Sequence, residues 1–129
     1  MAELLNVESA LEMVGDDRDL LKELLEGYLN DRIFDSSKLE GLTNVKDENG
    51  NCTEAAKYVH YFKGAAKQLG AEILGEAGQA LEDVLRGKKQ GDLAELIKAF
   101  TDEYKRSTDE MRRYLYSFTQ YASIKFFSI

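Results

Sequence analysis

Proline and tryptophan are absent from the chain, and histidine and cysteine occur once each, as His60 and Cys52. A lone cysteine excludes an internal disulfide framework and points to a reducing compartment. One histidine and one cysteine also fall short of the three or four ligands of an ordinary zinc site. The opening Met1-Ala2-Glu3-Leu4-Leu5 has no basic stretch followed by an apolar run, so no signal peptide is expected. No apolar run approaches the roughly 20 residues that span a bilayer. At 129 residues a single core can be buried without a cross-link. The expectation is one cytoplasmic domain covering residues 1–129, with no membrane partner.

The net charge of −7 is unevenly spread. Residues 1–50 carry 5 Lys/Arg against 13 Asp/Glu, and residues 71–129 carry 9 against 10. Residues 51–70 reverse the sign, with 3 against 1. The acidic total argues against a nucleic-acid partner, because phosphate backbones are repelled. The one basic island surrounds the one histidine.

Without proline, and with glycine gathered at junctions, the pattern predicts an all-α, up-and-down four-helix bundle with a short additional N-terminal helix. Asn6 caps the short helix, which carries Val7, Ala10, Leu11 and Val14 and stops at Gly15. Asp16 or Asp17 caps a second helix with Leu21, Leu25, Tyr28 and Leu29, a pattern that extends through Ile33, Leu39 and Leu42. Lys46–Asn51 is the clearest loop. It is not a calcium loop, since Gly50 is out of phase with Asp47 and no Glu closes it. Thr53 reads as the N-cap of a third helix ending near Leu69-Gly70. A fourth runs from about Glu72 to Leu85, and Asp92 caps a fifth with Leu93, Leu96, Ile97, Phe100, Tyr104, Met111 and Leu115 as its stripe. The apolar tail, 116–129, either extends the last helix and packs on the first two or contacts another chain. Cys52 reads as incidental, with no basic residue within two positions to lower its pKa.

On a wheel of about 100° per residue, Tyr58, Phe62, Ala65 and Leu69 lie opposite His60, widened by Ala55, Val59 and Ala66. Ala56, Lys57, Lys63, Gly64, Lys67 and Ala71 share its side, so His60 is expected to face solvent on a basic face of small residues. A histidine among lysines is commonly only a wet surface. Gly64 is harder to set aside, because a mid-helix glycine costs on the order of 1 kcal/mol relative to alanine. Access for an incoming group offsets that loss. An exposed imidazole without a matching base or metal suits nucleophilic work by the ring itself. A phosphoryl group carries about −1.5 to −2 charges, which neighbouring lysines pair with. The Gly87-Lys88-Lys89 stretch lacks the remaining features of a phosphate-cradling loop.

The run His60-Tyr61-Phe62-Lys63-Gly64-Ala65-Ala66, followed by Leu69-Gly70-Ala71 and Leu74, resembles the signature of the histidine-containing phosphotransfer (HPt) domain family. Leu11 to Gly15, the leucine-rich second helix, Leu81-Glu82 and Gly91-Asp92-Leu93 match the family's layout as well. The resemblance implies that His60 accepts a phosphoryl group from a receiver-domain aspartate and passes it to another receiver in two-component signalling. It implies that Lys63 helps neutralise the phosphoryl oxygens and that Gly64 permits close docking. Glu82 and Arg86 fall where the family often places polar groups near the imidazole. Glu82 then holds one ring nitrogen as N–H, although Gln is frequent there. Alternatively, Glu82 and Arg86 are an ordinary exposed pair one turn apart. Lys67 rests on the wheel alone. No cofactor or metal is expected of the chain itself, since the receiver brings the acidic, metal-binding half. Two other readings stay open: the phosphoacceptor domain of a chemotaxis-type histidine kinase, and a docking module that is never phosphorylated.

Overall fold

The computed structural model describes the backbone of residues 1–127 and the side chains of residues 1–117. Every regular element in them is helical: α1 (Val7–Met13), α2 (Arg18–Asn30), α3 (Ser36–Leu42), α4 (Thr53–Gln68), α5 (Glu72–Leu85) and α6 (Leu93–Phe127). Side-chain caps open the first three. Asn6 accepts from the Ser9 amide, Asp17 from Leu20, and Asp35 from Ser37 and Lys38, each satisfying amides the helix leaves free.

Two boundaries differ from the pattern in the sequence. The second helix does not run on to Leu42 but stops at Asn30, and a separate α3 begins at Ser36. The break is tertiary in origin. Phe34 turns inward among Tyr58, Phe62, Phe100 and Tyr104, with ring centroids 5.1–5.8 Å away. Its amide donates to the Tyr104 hydroxyl, and the Asp35 amide donates to that of Tyr58. Burial of one aromatic ring and two side-chain hydrogen bonds outweigh a continued helix. At the start of α4, Cys52 rather than Thr53 is the capping position, and the Thr53 hydroxyl turns back to the Asp47 carboxylate.

The core is built around Leu21, Leu25, Leu39, Phe62, Leu74, Leu81, Leu85, Phe100 and Met111, all fully buried. Helix α4 packs chiefly on α5, α5 on α6, and α2 closes against α6. The α4–α5 turn depends on Gly70, whose φ of +82° suits glycine. A side chain there would collide with the Asn6 carbonyl, where the Asn6 amide already bonds the Gly70 carbonyl. Tyr28 ties α2 to α4 by donating to the Phe62 carbonyl, and burial pushes its phenol above the usual range. The backbone of α6 stays helical through Phe127, so the last helix is extended. How the apolar residues after 117 pack lies outside the described side chains. No helix among the described residues is long and apolar enough to cross a membrane.

Candidate phosphoacceptor site

His60 lies in the middle of α4, its side chain 60% exposed, while Val59 and Phe62 beside it are fully buried. The ring is nevertheless held. Its Nδ1 stands 3.1 Å from both carboxylate oxygens of Glu82, which reaches across from α5. Glu82 is only 7% exposed and takes two cations as well: Lys63 Nζ at 2.8 Å on Oε1, and Arg86 Nε at 2.7 Å on Oε2. Burial pushes the Glu82 carboxyl up. Hydrogen bonds from Lys63, Arg86 and His60 prevail, and hold its pKa down at about 2. At neutral pH the carboxylate is ionised and can only accept. Nδ1 must therefore carry the proton of the neutral ring, which leaves the Nε2 lone pair free. Nε2 has no hydrogen-bond partner among the described residues.

The wheel places His60, Lys57 and Lys67 correctly on the exposed face, and misplaces Lys63, Ala56 and Ala71. Lys63 is buried, its side chain 9% exposed, and Ala56 and Ala71 are inaccessible. The reason is the close approach of α5. Gly75 and Gly78 present no side chains to α4, and the Lys67 and Lys63 stems lie against them. A Cβ at position 78 would stand 2.8 Å from Lys63 Cβ and 3.1 Å from Phe100 Cε1. That contact covers the flank of α4 on which a wheel of one helix alone sees only solvent. Ala71 is not part of α4 at all but the capping residue of α5.

Lys63 is thus an internal cation. Besides Glu82 it donates to Gln79 Oε1 at 3.0 Å, and Gln79 Nε2 donates in turn to Asp83 at 2.8 Å. The only sequence signal for Gln79 is its four-residue spacing from Asp83 on α5. Arg86, 29% exposed, is more than an exposed pair partner, since its guanidinium shares the carboxylate that holds His60. Around Gly64 there is open space within 4 Å of where a side chain would begin. No packing contact requires a glycine there.

On another flank of α4, a groove of about 500 Å³ runs between α2 and α4, lined in part by Leu24, Gly27, Tyr28, Tyr61 and Ala65. Arg32 lies over the Tyr61 ring at 4.2 Å. Away from this face, the structure brings Lys46, six residues back in the chain, to 3.1 Å from Cys52 Sγ. The cation beside this thiol is therefore set by the loop's fold and not by an adjacent residue.

The exposed imidazole, its buried carboxylate and the open glycine one turn later stand where the sequence resemblance put a phosphoacceptor. A family model for the Hpt domain matches residues 4–112. No curated protein and no solved structure gives a significant match. With the match covering nearly all of the helical bundle, the chain belongs to the Hpt domain family, whose role is histidine phosphotransfer in two-component systems.

Proposed function

We propose that the chain is a phosphorelay carrier, taking a phosphoryl group from the aspartyl phosphate of one receiver domain onto His60 and delivering it to the aspartate of another. The observation that carries the reading is the Nδ1 contact to a buried, ionised Glu82, because it aims an unprotonated Nε2 outward. The Nε2 lone pair attacks phosphorus. The N–P bond forms as the phosphorus–oxygen bond to the aspartyl carboxyl breaks, and the carboxylate leaves with that electron pair. The imidazole keeps its Nδ1 proton and becomes a phosphoimidazolium, whose positive charge faces Glu82. No proton has to move, so the same bonds run in reverse toward the second receiver. Lys67, exposed on this face, is the ammonium best placed to meet phosphoryl oxygens. The groove lined by Tyr61 offers a receiver further apolar surface on the helix that carries His60.

Incubation with phosphorylated receivers tests the reading. A label that survives alkali, is lost in acid and passes to a second receiver is the expected result. Receiver binding without transfer in either direction would leave only a docking module. Label that arrives only from an ATP-dependent kinase domain would point instead to the acceptor part of a chemotaxis-type kinase.

Gly64 supplies a second test. Alanine there meets nothing within 4 Å. Gly64→Ala is expected to raise stability by up to about 1 kcal/mol through helix propensity, measured by urea unfolding. Transfer from a receiver should slow in the same variant, because the added methyl stands where the partner approaches. A more stable variant with unimpaired transfer would show that Gly64 has no part in docking.

A further inference from the structure

Lys63 is the one lysine of α4 whose ammonium is turned inward. Two acceptors hold it there, Glu82 Oε1 at 2.8 Å and Gln79 Oε1 at 3.0 Å. The Gln79 amide is itself oriented, since its Nε2 donates to Asp83 and its oxygen is thereby aimed at Lys63. On the other side of the carboxylate, Arg86 takes Oε2. The plane of Glu82 is fixed by a cation at each oxygen, which leaves both oxygens equidistant from His60 Nδ1.

We propose that Gln79 is a positioning residue for His60, holding Lys63 on Glu82 so that Lys63 acts through the carboxylate rather than by touching the phosphoryl group. A buried ammonium needs its hydrogen bonds satisfied. Without Gln79 it keeps a single acceptor and turns toward water, and the pull on Oε1 is lost. Glu82 then swings to Arg86, the Nδ1–H bond loosens, and the proton redistributes to Nε2, the tautomer that an unconstrained imidazole side chain favours. An Nε2–H ring has no lone pair at the exposed nitrogen. The fraction of competent nucleophile falls without any change in the surface a receiver meets.

The assignment rests on the phosphotransfer reading only for its consequence, since the tautomer is measurable in the unphosphorylated chain. With one histidine in the sequence, the ring nitrogens give a single unambiguous set of ¹⁵N signals. In the parent chain Nδ1 is expected to be the protonated nitrogen. Gln79→Met, which keeps length and removes the acceptor, is expected to shift population toward Nε2–H. It should lower kcat for transfer by roughly tenfold, the scale on which outer partners of ligating histidines act, with KM for the receiver unchanged. Lys63→Met should reproduce the tautomer shift. The double variant Gln79→Glu, Asp83→Asn restores an acceptor for Lys63 and a donor beside it, and should return the parent tautomer. Nitrogen signals that are unchanged in both folded single variants would overturn the proposal, as would a loss of receiver affinity in place of kcat. A tautomer that responds in a chain no receiver labels would uphold the positioning role and remove the phosphorelay reading instead.

Discussion

His60→Gln is expected to abolish phosphoryl labelling completely while leaving the fold intact. The chain contains no other histidine, so no second imidazole can take the group. The side chain that is lost is 60% exposed, and Glu82 keeps both Lys63 and Arg86 after its removal. Glutamine also retains an N–H donor able to point at the carboxylate. The cost in stability should stay below about 1 kcal/mol, a shift of a few degrees at most for a domain of this size. Gel separation of phosphorylated protein, set beside a thermal melt by circular dichroism, reads both quantities. Alkali-stable label on the variant would show that the acceptor lies elsewhere. A melt lowered by tens of degrees would show that the imidazole has a structural role the exposed ring does not suggest.

Glu82→Ala should produce the largest loss of stability of any single change at the site. The substitution leaves Lys63 as a buried cation with one neutral partner, and removing one member of a buried ion pair typically costs about 3–5 kcal/mol. The same carboxylate makes acid stability diagnostic. Glu82 titrates at about 2 in the folded chain against an ordinary 4.5, so the unfolded chain binds its proton first as pH falls. Its stabilisation is complete above about pH 4.5 and is lost progressively toward pH 2, with a total on the order of 3 kcal/mol. Urea unfolding between pH 7 and pH 2 should therefore show a slope in the parent that is reduced in Glu82→Ala. The pair variant Lys63→Met, Glu82→Leu removes both charges together and should recover most of the stability. It should still fail to transfer phosphate, since nothing holds Nδ1. Equal stability of Glu82→Ala and parent at pH 7 would mean that the Lys63–Glu82 contact contributes nothing.

Most of the helical architecture was legible because local chemistry marks it. Asn6 and Asp17 are capping residues in type and place, and the glycines at 15, 70 and 87 take positive φ where helices end. The break between α2 and α3 was not legible. It depends on Phe34 meeting rings from α4 and α6, more than 20 residues away in the chain. At the site, one helix predicts which way its own residues point and not what covers them. That is why His60 was placed correctly and Lys63 was not. Glu82 and Arg86 were reached through resemblance, and the structure gives them a shared physical task. Gln79 went unseen because its partner is a lysine that the wheel had put in water.

The close contact at Gly78 bears on whether the motif can be transplanted. His-x-x-Lys-Gly grafted onto an arbitrary helical bundle would carry an exposed imidazole and a surface lysine, but not the clamp beneath the ring. Lys63 is internal only because the facing helix comes near enough at Gly78, one turn before Glu82. The minimum specification for rebuilding the site therefore spans two helices: His-x-x-Lys-Gly on one, and Gly-x-x-x-Glu, in register with it, on the other. A designer who copied only the first helix would reproduce the letters of the signature and lose the carboxylate that holds the Nδ1 proton of its histidine.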